Sequence, residues 1–224
     1  MTAARDSRGA ALQTVCATLG LVVDEPRQQA LLDYLDMLQQ WNATYNLTAI
    51  RDPAAMFTQH LADCLAVIPA LTRQLQAVAE PGRVLRVLDV GSGGGLPGVV
   101  IAALLPVAVT CVDTVGKKAA FVREVAGHLK LANLQAVHSR VEAMPSVPFD
   151  LVTSRAFASL ADFCQLTQDR LAENGVWMAM KGQRPDDEIT ALPAAVEMFH
   201  VEPLDVPGLD AQRCLVWMRR RMPA

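Results

Sequence analysis

The fold of this chain is decided by residues 84–113, which read VLRVLDVGSGGGLPGVVIAALLPVAVTCVD. The stretch begins with a run rich in β-branched residues (84–90) that fits a strand buried in a parallel sheet. Five glycines follow within eight residues, and then an apolar segment of helical length (97–105). A second β-branched run (107–112) ends at Asp113. The stretch therefore predicts a strand–loop–helix–strand unit with an acid at the tip of its second strand, the layout of a nucleoside-binding crossover.

The spacing of the glycines indicates the cofactor. A dinucleotide fingerprint has glycine at its first, third and sixth positions. Here Gly91, Gly93 and Gly95 stand at positions one, three and five, and position six is Leu96. This spacing, preceded by Leu-Asp-Val, is usual for the first motif of S-adenosylmethionine-dependent methyltransferases. Glycines let the backbone approach a ligand closely, and the carboxylate of Asp113 is placed to accept hydrogen bonds from ribose hydroxyls.

Length and composition indicate an intracellular globular protein. The chain has 224 residues, of which 52% are apolar, enough for one large domain or one domain with an appended helical part. Five cysteines are scattered without Cys-x-x-Cys pairing, which predicts reduced thiols, no structural metal and a cytoplasmic location. We find no apolar stretch of the ~18–20 residues that cross a bilayer and no signal peptide at the start. We therefore expect no membrane contact, and we expect a monomer.

The charge distribution is more informative than the net charge of −3. Residues 117–184 hold nine basic and six acidic side chains, a local excess of positive charge. A polyanion is therefore expected to meet the middle of the chain rather than the whole surface. An ordinary mixture of surface charges explains the same counts and stays open as an alternative.

The first eighty residues read as helices. Residues 1–9 are expected to be frayed and 10–19 to form a short helix. Pro26 opens a stronger helix, since proline suits the first turn. A further helix starts behind the capping residue Asp52 and runs to about residue 68, which places His60 and Asp63 one turn apart. His60 is then either a buried partner of Asp63 or a contact to substrate. We predict a helical extension over 1–80, packed on a sheet domain over 81–224.

The remainder of the chain alternates strands and helices, which predicts an α/β, doubly wound, Rossmann-like sheet. Further strands are expected at 135–138, 149–154, 175–180, 201–204 and 214–218, and helices at 117–129, 160–171 and 185–197. Ligand residues collect at the carboxyl ends of such strands. The glycine-rich loop, Asp113, Glu142, Ala143 and Arg155 all fall at these ends.

Several motifs are more particular than the glycine-rich loop. They are WNATYNLTAI (41–50), HLADCL (60–65), LDVGSGGGLPG (88–98), VDTVGKKAAFVREV (112–125), SRVEAMP (139–145), FDLVTSRAFASL (149–160) and MKGQ (180–183). With these motifs the chain resembles the bacterial family that methylates guanine N7 in small-subunit (16S) ribosomal RNA, also called the glucose-inhibited division protein B family. The resemblance runs from about residue 31 to residue 218. It implies a class I methyltransferase sheet with an N-terminal helical extension, and S-adenosylmethionine as cofactor.

The resemblance also implies roles for single residues, carried onto matching positions only. The methionine and ribose part of the cofactor would be held by Gly91, Ser92, Gly93 and Leu96, the ribose hydroxyls by Asp113, and the adenine by Glu142 and Ala143. Arg155 would lie beside cofactor and target as the catalytic residue. Contacts to 16S ribosomal RNA or the small ribosomal subunit would come from Lys117, Lys118, Arg123 and His60.

The residues alone leave other functions open. A methyltransferase acting on a small molecule or a protein would share the cofactor loop and need no basic face. A nicotinamide dehydrogenase is disfavoured by Leu96 at the sixth position of the loop. A non-catalytic RNA-binding protein could keep the same fold. Guanine N7 already carries a free lone pair, so a site for that target needs to align its reactants and needs no general base.

Overall fold

The computed structural model describes residues 2–145, 147–155, 157 and 159–221, with side chains from Ser7 onward. Five helices precede the first strand. They are α1 (Thr2–Thr18), α2 (Glu25–Tyr45), α3 (Pro53–Met56), α4 (Asp63–Leu65) and α5 (Ile68–Ala77), with a π-helical segment (Phe57–Ala62) between α3 and α4. Asp24 and Asp52 are the N-cap residues of α2 and α3. Their carboxylates accept hydrogen bonds from otherwise unpaired amides of the first turn.

Helix α1 is longer than the sequence suggested. Residues 1–9 were expected to be frayed, but the helix begins at Thr2. Arg8 donates a hydrogen bond from Nη2 to Asp36 Oδ1 at 2.6 Å, and Leu12 is fully buried. These contacts hold α1 on α2, and tertiary packing of this kind stabilises helices that are marginal alone.

A seven-stranded sheet follows. Its strands are β1 (Arg86–Val90), β2 (Ala108–Asp113), β3 (Leu134–His138), β4 (Phe149–Ser154), β5 (Leu171–Lys181), β6 (Val196–Leu204) and β7 (Arg213–Arg220). They lie in the order β3-β2-β1-β4-β5-β7-β6, and β7 runs antiparallel to both of its neighbours. The helices between them are α6 (Gly98–Leu104), α7 (Gly116–His128), α8 (Leu160–Thr167) and α9 (Asp186–Thr190), with 3₁₀ turns at Val141–Ala143 and Gln168–Arg170.

The strand order reverses at β1, which has β2 on one side and β4 on the other. Connections leave β1 and β4 in opposite directions there, so a crevice opens at the carboxyl edge of the sheet. The predicted doubly wound α/β sheet is thus confirmed, and N-terminal helices accompany it. The glycine-rich loop, which follows β1, lies at this reversal.

Alternate residues of each strand face opposite sides of the sheet and build two cores. Val87 faces the core that contains α2, α6 and α7, while Leu88 faces the core around α8. Buried residues of α2, among them Leu31 and Leu38, belong to the first core. The N-terminal helices therefore pack directly on one side of the sheet. The partition into 1–80 and 81–224 as two domains stays a prediction.

The carboxy-terminal part differs from the sequence expectation. Residues 185–197 were predicted to be mostly helical, but α9 ends at Thr190 and β6 already begins at Val196. Pro193 explains the difference, since proline lacks the amide hydrogen and clashes inside a helix. The helix predicted over 160–171 likewise ends at Thr167, and β5 starts at Leu171 rather than at residue 175.

One helical run corrects the expectation about apolar length. The run Pro53–Ala77 spans 25 residues and is apolar enough to cross a bilayer by length and hydropathy alone. In the fold, 67% of its most apolar window is buried inside the protein. A core helix of a soluble protein passes the same test, so this run is weak evidence for a membrane span.

Candidate active site

The glycine-rich loop bends because its glycines adopt backbone angles that other residues avoid. Gly91, Gly93 and Gly95 have φ values of 66°, 58° and 86°, in the left-handed region where a Cβ is strained. A Cβ built on Gly93 would meet none of the described protein atoms within 4 Å. The space beside this residue is therefore free for a ligand.

Asp113, at the end of β2, holds the loop. It is only 6% exposed, and its Oδ2 accepts a hydrogen bond from the Gly93 amide at 2.9 Å. Its Oδ1 accepts one from the Val115 amide at 2.8 Å, and Lys118 Nζ lies 3.9 Å from Oδ2. A carboxylate offers about four lone-pair positions, so Asp113 can shape the loop and still accept from a ligand.

A cleft of about 350 Å³ opens beside the loop and will be called the first cleft. It is lined by Val90, Gly91, Val112, Asp113, Thr114, Ser139, Arg140, Val141, Glu142, Phe157 and Leu166. Three of the predicted cofactor residues, Gly91, Asp113 and Glu142, therefore meet in one place. Small-molecule pockets measure about 300–1,000 Å³, so the cleft has the size that a nucleoside cofactor needs.

Ser92, Leu96 and Ala143, which were also predicted to bind the cofactor, belong to the loop and the turn that border this cleft. Ser92 and Leu96 are buried within the loop, and Ala143 is exposed in the 3₁₀ turn that carries Glu142. Arg170 fixes this turn, because its Nε and Nη2 donate to the carbonyl groups of Val141 and Glu142 at 3.1 and 2.9 Å. The buried guanidinium thus sets the position of the acid at the rim.

Arg155 follows β4 and lines a different space, a second cleft of about 360 Å³. The lining residues are Ile50, Gln59, His60, Asp63, Arg155, Met180, Lys181, Gly182 and Arg213. Arg155 Nη1 donates to the Gln59 carbonyl at 3.2 Å and lies 3.5 Å from Asp63 Oδ2. The described contacts of this arginine are therefore with the N-terminal helices, and its predicted role beside the cofactor stays a prediction.

Asp63 is the acceptor that two arginines share. Besides Arg155 at Oδ2, it accepts a hydrogen bond at Oδ1 from Arg213 Nε at 2.9 Å. The side chain of Asp63 is 3% exposed, so it brings one buried negative charge against two positive ones. Lys181 is also in the lining, and its Nζ pairs with Glu188 Oε2 at 2.8 Å, so the positive charge of the second cleft comes chiefly from the two arginines that share Asp63.

His60 lies in the π-helical segment, a kind of irregularity that often marks functional sites. The ring is buried, with Nε2 2.9 Å from Thr48 Oγ1 and Nδ1 3.3 Å from Arg155 Nη2. Burial and then the charge of Arg155 lower the pKa of His60 from 6.5 to about 4. The ring is consequently neutral at pH 7, and its partners are Thr48, Arg155 and the Gln59 carbonyl instead of Asp63.

The side chain of Asn42 brings the stretch 41–50 to the second cleft. Asn42 is buried in α2, where its amide nitrogen donates to the Ile50 carbonyl at 3.0 Å and its oxygen accepts from the Thr48 amide at 2.9 Å. These two bonds fold the polar stretch back on the helix. They place Thr48 against His60 and bring Ile50 into the lining.

The predicted RNA-facing residues of α7 do not share one face. Lys117 and Arg123 are both exposed, but six residues on an α-helix correspond to about 600°, which leaves them roughly 120° apart. Lys118 instead turns toward Asp113. The helix thus presents positive charge in several directions, with one lysine beside the first cleft.

Lys181 and Arg213 were not assigned a role from the sequence. Lys181 stands in the motif MKGQ at the carboxyl end of β5, a position that could have drawn attention. Arg213 begins β7, and strand starts usually lie on the opposite edge. Because β7 is antiparallel, Cys214 pairs with Lys181 and the start of β7 meets the ligand edge. A single sequence gives no signal for that reversal.

Asp89, just before the loop, is a buried carboxylate. Its Oδ2 accepts a hydrogen bond from the Gly98 amide at 2.8 Å at the start of α6, while Oδ1 has no hydrogen-bond partner among the described residues. Burial raises the pKa of Asp89 from 3.8 to about 7. This carboxyl group therefore ties β1 to the start of α6, and it is not among the residues that line the first cleft.

The sheet order, the glycine-rich loop and the acid at the tip of β2 define the class I methyltransferase fold. Among solved structures, the chain is similar to a TehB-like SAM-dependent methyltransferase from Corynebacterium glutamicum, with a TM-score of 0.53 and 14% identity over 84% of this chain and 98% of that one. This likeness concerns the fold.

The sequence comparisons are more specific. Residues 27–216 match the family described as rRNA small subunit methyltransferase G. The chain is 58% identical to ribosomal RNA small subunit methyltransferase G from Leptothrix cholodnii, over 92% of this chain and 93% of the relative. It is 55% identical to the protein of that name from Methylibium petroleiphilum, over 94% and 93%. The chain belongs to this family, and the resemblance predicted from its motifs is confirmed.

Proposed function

We propose that the protein transfers a methyl group from S-adenosylmethionine to N7 of a guanine in small-subunit (16S) ribosomal RNA. The observation that carries the proposal is the pair of clefts at the carboxyl edge of the sheet. One offers acids and glycine backbone to a nucleoside, and the other offers three cationic side chains. The names of the relatives support ribosomal RNA as the substrate class.

The first cleft holds the cofactor in this proposal. When bound, S-adenosylmethionine supplies a methyl group on a positively charged sulfur. Asp113 accepts hydrogen bonds from the ribose hydroxyls, and Glu142 with Ala143 flanks the adenine. The methionine and ribose part lies against the loop residues Gly91, Ser92, Gly93 and Leu96. The free space beside Gly93 supports this fit.

The second cleft receives the RNA. Arg155, Lys181 and Arg213 attract phosphate groups, and an arginine binds phosphate in a planar, two-pronged geometry. Asp63 pairs with Arg155 and Arg213 and thereby fixes the position of both cations in the cleft. Lys117, Lys118, Arg123 and His60 extend this interface in the proposal, with His60 acting through its contact to Arg155.

Catalysis rests on placement in this account. The N7 lone pair forms the new bond to carbon while the carbon–sulfur bond breaks, and its electron pair stays on sulfur. No proton leaves the base before attack, and the methylated ring carries the positive charge. Arg155 stays protonated and His60 has a pKa of about 4, so these groups position reactants. Alignment of this kind contributes roughly 7–11 kcal/mol.

We further propose that the protein works as a monomer in the cytoplasm, away from membranes, with ribosomal RNA or the small ribosomal subunit as its partner. Within the run Pro53–Ala77, 67% of the most apolar window is buried inside the fold, which supports a soluble protein.

The test uses purified protein and S-adenosylmethionine labelled on its methyl group. Naked 16S RNA, intact small subunits and the separated ribosomal proteins are offered in parallel. We expect label in RNA, and we expect Asp113→Ala to abolish most of it while Asp187→Ala, an exposed acid on α9, leaves it unchanged. Label found in the protein fraction, or none in RNA from either source, would overturn the proposal.

A further inference from the structure

The glycine-rich loop is held from two sides, and the second side belongs to the N-terminal helices. Tyr34 of α2 is fully buried, and its hydroxyl donates a hydrogen bond to the Gly94 carbonyl at 2.7 Å. Gly94 lies in the middle of the loop that borders the first cleft. Helix α2, which precedes the sheet in the chain, therefore contacts the backbone of the proposed cofactor site.

Helix α2 comes close to the loop at Gly94. A Cβ built on Gly94 would lie 3.0 Å from Leu38 Cδ1 and 3.6 Å from the Tyr34 hydroxyl oxygen. Gly94 is not among the glycines with positive φ, so its conformation alone does not demand glycine. The approach of α2 leaves little room at this position, and a side chain there would require Leu38 to shift.

The tyrosine is also well fixed in place. Its ring packs against Phe121 of α7, with the ring centroids 6.3 Å apart. Burial raises the pKa of Tyr34 above its ordinary value, which keeps the hydroxyl protonated as a donor. A buried hydroxyl that loses its partner is costly, and Tyr34 is fully buried, so its hydroxyl and the Gly94 carbonyl fix each other's position.

We infer that Tyr34 is a positioning residue for the cofactor, because its hydrogen bond fixes the loop from the side of α2 while Asp113 fixes it from the end of β2. Asp113 binds the amide of Gly93, and Tyr34 binds the carbonyl of the next residue. A loop held in its binding shape costs less to order when the ligand arrives. The inference rests on the proposed function, since it takes S-adenosylmethionine as the ligand of the first cleft.

The inference gives the N-terminal helices a second role. They supply His60 and Asp63 to the second cleft and, through Tyr34, they shape the first one. Cofactor affinity should then depend on a residue that never touches the cofactor.

The test is Tyr34→Phe, which keeps the ring and removes only the hydroxyl. We expect the Kd for S-adenosylmethionine, measured by calorimetry, to rise about 2- to 12-fold, the range that one hydrogen bond is worth. At saturating cofactor the rate should be unchanged, and the KM for RNA should stay constant while the KM for S-adenosylmethionine rises. Amide hydrogen exchange in the loop should become faster.

Two variants serve as controls. Tyr45→Phe makes the same chemical change on the same helix, at a side chain that is 43% exposed, and should bind cofactor as the wild type does. Leu12→Ala loosens the N-terminal helices through a buried leucine of α1 and leaves the Tyr34 hydrogen bond intact. It should lower stability without raising the Kd.

The outcomes separate the inference from the proposed function. A Tyr34→Phe variant with wild-type affinity and wild-type loop exchange would overturn the inference alone. So would a Leu12→Ala variant whose Kd rises as much as that of Tyr34→Phe, since general loosening would then be the cause. A wild-type protein that fails to bind S-adenosylmethionine would overturn the proposed function, and the inference with it.

Discussion

Replacing Asp113 by alanine removes three interactions at once. In the structure its carboxylate accepts hydrogen bonds from the amides of Gly93 and Val115, at 2.9 and 2.8 Å. In the proposed complex it also accepts from the ribose hydroxyls. The substitution should therefore weaken cofactor binding both directly and through the shape of the loop.

The magnitude follows from these bonds. A hydrogen bond to a charged group contributes about 1.5–3 kcal/mol, and at 1.36 kcal/mol per factor of ten one such loss weakens binding roughly 12- to 160-fold. The two amides lie beside an open cleft, where water can replace the lost acceptor. We therefore expect the direct ribose contact to dominate and the Kd of Asp113→Ala to rise by about that factor.

Titration calorimetry with S-adenosylmethionine measures the effect, and Asp113→Asn serves as the matched variant. The amide oxygen of asparagine can satisfy one of the two backbone donors, so this variant should fall between wild type and alanine. Far-ultraviolet circular dichroism checks that each variant is folded. An alanine variant that binds within threefold of wild type would refute the reasoning and move the ribose elsewhere.

Three further predictions concern the loop, the buried histidine and the basic helix. Gly93→Val should abolish cofactor binding in calorimetry while the protein stays folded, because valine is strained at a φ of 58° and its side chain enters the ligand space. His60 has a folded pKa of about 4, below its unfolded value of 6.5. The contribution of His60 to the free energy of unfolding should therefore be complete above pH 6.5. It should be lost as the pH falls toward 4, which lowers that free energy by at most about 3 kcal/mol. The difference in urea-unfolding free energy between wild type and His60→Gln should show this slope, and single-turnover methylation should be flat from about pH 6.5 to 9. Lys117→Ala combined with Arg123→Ala should weaken RNA binding in a filter assay and reduce its salt dependence, with cofactor affinity unchanged. An unchanged salt slope would place the basic surface elsewhere.

The centre of the fold could be predicted from the sequence because its signals are local. A β-branched run, a glycine cluster and an acid at a strand end each depend on neighbouring residues, and the strand, loop and helix formed within a few residues of the predicted bounds. The capping pairs at Asp24 and Asp52 are local in the same sense.

The division into two clefts could not be predicted, because it depends on tertiary packing. Arg155 follows β4, next to the proposed cofactor edge, yet its guanidinium meets Gln59 and Asp63 from helices more than ninety residues earlier. Arg213 reaches the same cleft only because β7 is antiparallel. Contacts between distant segments and a reversed strand leave no periodic trace in a single sequence.

The central claim is that a guanine of small-subunit RNA is methylated at N7, and nucleoside mass spectrometry tests it most directly. The purified protein is incubated with 16S RNA and S-adenosylmethionine carrying a deuterated methyl group, and the RNA is then digested to nucleosides. The account predicts label in 7-methylguanosine, in wild type and Tyr45→Phe alike, with a strong loss in Asp113→Ala. Label in a guanine methylated on its exocyclic amine, or in a methylated adenosine, would contradict it, because the methyl group would then have gone to an atom other than N7.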